Sequence, residues 1–197
     1  IYEAAKYVPL DRLYLSPQCG FASCEIGNKL TEAQQEIADD FIRSYDAGDR
    51  TPVLLHGITG SGKTEVYMEM IDAMLQRGKQ CIVLIPEIAL TYQTLLRFYK
   101  RFGDAVSVMH SRLSAGERYD QMKRAKRGEV QVMIGPRSAL FTPFQKLGLI
   151  IIDEEHETSY KSDSMPKYHA REVAVHLAEM TDACVVMGSA TPSLEAN

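Results

Sequence analysis

The chain has 197 residues, 45% of them hydrophobic and 24% charged, with a formal net charge of −4. That length supports one domain with a sizeable core, and the ordinary composition excludes disorder, collagen and coiled coil. No apolar run reaches the ~20 residues that cross a bilayer, and a mildly acidic chain meets nucleic acid only through a local patch.

The start, IYEAAKYVPLDRL, has neither the basic head nor the apolar core of a signal peptide, so a cytoplasmic protein without membrane association is expected. Residues 1–30 contain LSPQCGFASCEIGNK and no sustained apolar periodicity. Thr31 can cap a helix, with Gln34 closing a capping box. Ile37, Phe41 and Ile42 give that helix an apolar stripe through about Tyr45, and Ala47-Gly48-Asp49 ends it. From residue 52 short β-branched runs alternate with helical stretches. The expected strands are Val53–His56, Cys81–Ile85, Val106–Met109, Val130–Ile134, Leu149–Asp153 and Cys184–Gly188. Between them lie the expected helices Lys63–Arg77, Thr91–Phe102, Ser114–Arg127 and His169–Met180. Ser114 with Glu117 makes a second capping box, and Gly78 and Gly103 are helix stops. This alternation predicts an α/β fold with a mostly parallel sheet covered on both faces. The long irregular stretch, Thr158–Tyr168, is of the kind that is usually functional or mobile.

Gly57-Ile58-Thr59-Gly60-Ser61-Gly62-Lys63-Thr64 is a G-x-x-x-x-G-K-[ST] phosphate loop, with a strand before it and a helix after it. Glycines let the backbone N–H groups curl around phosphate oxygens, and the helix N-terminus adds a favourable dipole. Lys63 is expected to reach the β- and γ-phosphates of ATP, and the Thr64 hydroxyl to sit on Mg²⁺. The expected nucleotide-binding set is Gly57, Thr59, Gly60, Ser61, Gly62, Lys63, Thr64 and Glu65.

Asp153-Glu154-Glu155-His156 follows a buried strand, whose carboxyl end would share a crevice with the phosphate loop on a neighbouring strand. There Asp153 would hold Mg²⁺, and Glu154 would orient and deprotonate the attacking water. His156 reads either as an ordinary histidine or as a sensor coupling hydrolysis to movement. Ser189 and Thr191, in GSATP after the last strand, carry hydroxyls able to bridge the nucleotide site to a moving surface, although the same residues also make an ordinary turn.

GITGSGKTEVY, LIPEIALTYQ, HSRLSAGER, GPRSALFTPF, LGLIIIDEEHE, YHAREVA and GSATPSLE occur in this order. Together they resemble the bacterial replication-restart helicases, the primosomal protein N′ family of superfamily 2 DEAD/DEAH-type DNA helicases, over about residues 30–197. The resemblance implies a RecA-like lobe that binds ATP and Mg²⁺ and helps movement 3′→5′ along single-stranded or forked DNA, in company with other restart proteins. It implies an adenine-reading role for Gln34, with an exposed helix glutamine as the lesser alternative. It also implies DNA contacts by Arg112, Arg137, Tyr160, Lys161, Tyr168 and Arg171, whose rings and cations suit single strands. Arg137 after a Gly-Pro turn could equally be a structural ion-pair partner. Lys167 stands where the family pattern leads one to expect Arg beside the tyrosine; it keeps the charge without the planar fork.

A full member of this family also carries a DNA-binding N-terminal domain, a second RecA-like lobe and a zinc module. The arginine fingers of the second lobe are worth about 10³–10⁵ in rate. The expectation for residues 31–197 alone is therefore ATP binding, very slow hydrolysis and no unwinding. The first thirty residues, PLDRLYLSPQCGFASCEIGNKLT among them, resemble instead the carboxyl-terminal end of cobalamin-independent methionine synthase-like proteins, in which the matching cysteine, here Cys19, is a zinc ligand. One thiolate cannot build a four-coordinate site, so zinc is not expected, and residues 30–34 read as a junction between segments of different origin. Cys19 and Cys24 read as free thiols, with adventitious metal binding at their spacing as the lesser alternative, and Cys81 and Cys184 as buried small hydrophobes. The competing reading for the whole is a P-loop scaffold that binds nucleotide without motor activity.

Overall fold

A computed structural model describes residues 13–15, 30–57, 60–163 and 165–190. Helix α1 (Glu32–Asp46) starts at Thr31, and the expected capping box with Gln34 is formed. Strands β2 (Val53–His56), β3 (Gln80–Leu84), β4 (Val106–Val108), β5 (Val132–Gly135), β6 (Leu147–Ile152) and β7 (Cys184–Ser189) alternate with α2 (Lys63–Gln76), α3 (Tyr92–Phe102), α4 (Ala115–Lys126) and α5 (Ala170–Thr181). Every expected strand and helix is present, with bounds shifted by at most a few residues. Thr91 and Ser114 serve as the caps of α3 and α4 rather than as their first residues, because each hydroxyl accepts the N–H three positions on.

Among the described residues, one strand falls within residues 1–30. β1 (Leu13–Leu15) pairs in parallel with β2, Leu13 opposite Leu54 and Leu15 opposite His56. Three residues are too few to carry a periodicity, so this strand is a consequence of the open edge of β2 and not of local pattern. The rest of the amino-terminal segment, including Cys19 and Cys24, lies outside the described residues.

All strand pairs are parallel, in the order β1-β2-β7-β6-β3-β5-β4. Strand residues alternate between two cores, as the period of two requires. Cys81, Val83, Leu149 and Ile151 pack with Ile37, Phe41, Ile71 and Phe98 of α1, α2 and α3. Ile82, Leu84, Ile150 and Ile152 pack on the other face with Ala125 of α4 and Ala170, Ala174 and Ala178 of α5. Both cysteines on described strands, Cys81 and Cys184, are buried and unbridged. No described helix is long and apolar enough to cross a membrane.

The order of strands corrects one expectation. β2, which delivers the phosphate loop, and β6, which delivers the acidic residues, are not neighbours, because β7 is inserted between them. Any contact between the two motifs must therefore pass over the carboxyl end of β7, at Gly188 and Ser189.

Candidate nucleotide-binding site

The phosphate loop leaves β2 at Gly57, whose N–H donates to the carbonyl of Ser189 at 3.0 Å. Gly60 (φ +83°) and Gly62 (φ +85°) hold the left-handed backbone that the turn requires, a region costly for residues with a Cβ. Gly62 then caps α2 without a side-chain acceptor, the kind of helix start that receives phosphate oxygens. Thr59 lies outside the described residues.

Lys63, only 6% exposed, donates to the Gly57 carbonyl at 2.5 Å and stands 3.6 Å from Glu154 Oε1. The loop cation and the acidic strand end thus meet directly. Gln34 is buried and doubly engaged: its Oε1 accepts from Thr31 N at 2.9 Å, and its Nε2 donates to the Ser61 carbonyl at 3.0 Å. Gln34 therefore ties α1 to the phosphate loop. Thr64 follows Lys63 in the first turn of α2, partly exposed. Glu65, in the same turn, has its carboxylate ion-paired with Arg97 of α3.

Asp153 and Glu154 follow β6. Glu154 has φ +48°, a left-handed value uncommon for a residue with a side chain, and the turn continues with Glu155 N–H donating to the Gly188 carbonyl at 2.8 Å. Burial, and then repulsion from Glu154, pushes the Asp153 carboxyl up from its ordinary value, while Lys63 and the Tyr67 hydroxyl act against the rise. His156 Nδ1 lies 3.8 Å from Glu154 Oε2 and 3.5 Å from the Ser189 hydroxyl, so the expected coupling residues His156 and Ser189 do meet. Thr191 lies outside the described residues.

Two contacts here had no counterpart in the sequence reading. Tyr67 donates its hydroxyl to Asp153 Oδ1 at 3.0 Å, and burial, then the Asp153 charge, raises its pKa above the ordinary tyrosine value. The available signal was spacing: Tyr67 follows Lys63 by four residues on a helix, one turn along the same face. Arg171 NH1 donates to Glu155 Oε2 at 3.0 Å, fastening α5 to the acidic turn.

The expected DNA-contacting residues divide. Tyr160 is 1% exposed, and its hydroxyl lies 2.6 Å from the Asp153 carbonyl and 3.1 Å from that of Leu84. Arg171 is paired with Glu155. Arg137 donates to the carbonyls of Ser159 and Lys161, both at 2.8 Å, which is the structural role the sequence left open, with carbonyls as partners and not a charge. Lys161 is exposed at the base of the loop, where it pairs with His169 in an antiparallel bridge. The Tyr168 ring meets Phe141 edge-on at 5.5 Å, and Phe141 is itself 54% exposed. Arg112 stands apart, exposed in the turn between β4 and α4.

Residues 31–197 match the family model described as DEAD/DEAH box helicase. The chain is 52% identical over 166 residues to the replication restart protein PriA of Bacillus subtilis, covering 84% of this chain and 21% of that protein. It is 47% identical over 181 residues to PriA of Treponema pallidum, covering 89% of this chain and 27% of that protein. The chain thus spans about a fifth to a quarter of the length of these relatives. Among solved structures, RecG bound to a three-way DNA junction superposes with a TM-score of 0.62 at 25% identity, over 85% of this chain and 22% of that one.

Proposed function

The chain belongs to the DEAD/DEAH box helicases, and on that footing we propose that residues 31–197 are the ATP-binding motor lobe of a replication-restart DNA helicase, resembling the first RecA-like lobe of PriA. The observation that carries this reading is the meeting of Lys63 with Glu154 at 3.6 Å, across a strand that separates their own strands.

The donor set fits ATP and Mg²⁺. The left-handed Gly60 and Gly62 form a cradle that side chains would strain. The buried lysine beside it meets the Glu154 carboxylate, Asp153 precedes Glu154 in the same turn, and Thr64 follows the lysine in the first turn of α2. Thr64 and Asp153 would hold the cation. A divalent cation held there would supply positive charge against the charge that develops on the phosphates. Lys63 stabilises the same charge, and Glu154 takes a proton from the attacking water. His156, between Glu154 and Ser189, would report the state of that carboxylate to the end of β7. The DNA face is the surface around Lys161, Tyr168 and Phe141, with Arg112 as a separate contact.

The fingers of a second lobe contribute about 10³–10⁵ to hydrolysis in related motors. The 197-residue polypeptide by itself is therefore proposed to bind nucleotide, turn it over very slowly and separate no strands. The test is ATP turnover with and without single-stranded DNA, together with a forked-duplex unwinding assay. Slow turnover abolished by Glu154→Gln supports the reading, and robust unwinding by this polypeptide overturns it.

A further inference from the structure

We propose that Tyr67 is the positioning residue for Asp153, fixing its carboxylate for the divalent cation through a hydrogen bond that passes over Gly188. The inference rests on the reading of Asp153 as the magnesium ligand and adds to it a residue on a different element.

Three observations converge. The Tyr67 hydroxyl donates to Asp153 Oδ1 at 3.0 Å, which occupies one carboxylate oxygen and leaves Oδ2 for a cation or its water. Tyr67 is 2% exposed and sits in the core with Val66, Met70 and Ile71 around it on α2, so its ring cannot swing away without opening that core. The third observation concerns space. A Cβ at position 188 would lie 1.8 Å from the Tyr67 hydroxyl oxygen and 3.1 Å from Asp153 Oδ1. β7 lies between β2 and β6, so the bond from α2 to the end of β6 crosses β7, and it can do so only where β7 has no side chain.

Groups that orient metal ligands in this way typically contribute about 10- to 100-fold to metal affinity. Tyr67→Phe removes the hydroxyl and keeps the ring, so the core packing survives. The experiment titrates MgCl₂ into the 197-residue chain with a fluorescent ATP analogue and reads the Mg²⁺ concentration giving half-maximal enhancement of nucleotide binding. Nucleotide affinity in EDTA is measured alongside. The expected result for Tyr67→Phe is a rise of about tenfold or more in the Mg²⁺ midpoint, with unchanged affinity in EDTA. Gly188→Ala, which forces the hydroxyl aside, is expected to raise the midpoint in the same direction. A wild-type Mg²⁺ midpoint in Tyr67→Phe overturns the inference, as does a loss of affinity that is equal with and without Mg²⁺. Asp153→Asn separates the two readings. If it abolishes the Mg²⁺ response while Tyr67→Phe leaves it intact, only the role of Tyr67 fails. If Asp153→Asn itself keeps the response, the assignment of the cation ligand fails first, and the inference with it.

Discussion

Lys63 Nζ and Glu154 Oε1 lie 3.6 Å apart, although they come from the ends of strands that do not touch. The lysine is nearly buried, so its attraction to the carboxylate is weakly screened, and a γ-phosphate must compete with Glu154 for it. Glu154→Gln removes that competition together with the proposed proton acceptor. The variant is expected to bind an ATP analogue at least as tightly as the parent, while single-turnover hydrolysis falls by about 10²–10⁴. Parental turnover in this variant would place the general base elsewhere.

Arg137 spends its guanidinium on the carbonyls of Ser159 and Lys161, the backbone on either side of buried Tyr160. Arg137→Ala should release that segment, and amide exchange should quicken across residues 158–162, including the Ser162 N–H that donates to the Tyr168 carbonyl. Weaker binding of single-stranded DNA with unchanged exchange would instead place Arg137 on phosphate.

His169 caps α5 by accepting the Arg171 N–H at Nδ1, a bond available only to the neutral ring. Burial first, and then the Arg171 charge, lower its pKa below the usual 6.5. A depressed folded value means that its contribution is present above the unfolded pKa and is lost as pH falls through the folded one. The fold should therefore lose about 0.5–2 kcal/mol from this cap on acidification below the ordinary histidine range. His169→Asn caps at any pH, and denaturant titrations at several pH values should show that it flattens this part of the profile. An identical pH profile for parent and variant would remove the cap from the account.

Phe98 is the buried residue of α3 and packs against the same core as α2. Phe98→Ala should cost about 3–5 kcal/mol in denaturant unfolding. Arg97 and Arg101 still pair with Glu65, Glu69 and Asp72 on α2, but these pairs are largely exposed and should not compensate. A loss below 1 kcal/mol, of the size of a surface change, would show that the ion pairs and not the ring hold α3.

The expected elements were legible because each was written locally. The capping boxes at Thr31 and Ser114, the glycines at 78 and 103 and the apolar strands all act within a few residues of themselves. The phosphate loop and Asp153-Glu154 were legible for the same reason. What local pattern could not carry was strand order. Nothing in the residues of β7 announces that it enters between β2 and β6, and from that placement follow the clearance at Gly188 and the Tyr67–Asp153 bond. Residue type likewise did not announce the surroundings of Tyr160 and Arg171. A tyrosine and an arginine in a polar loop suit a nucleic acid, and nothing local says that the one is buried and the other pairs with Glu155.

The central claim is that this lobe holds ATP through Lys63 and its loop, and equilibrium titration of a fluorescent ATP analogue into the chain and its Lys63→Ala variant tests it most directly. Saturable, Mg²⁺-strengthened binding by the chain and its loss in the variant are expected, with both proteins folded by circular dichroism. Equal affinity in the two would contradict it.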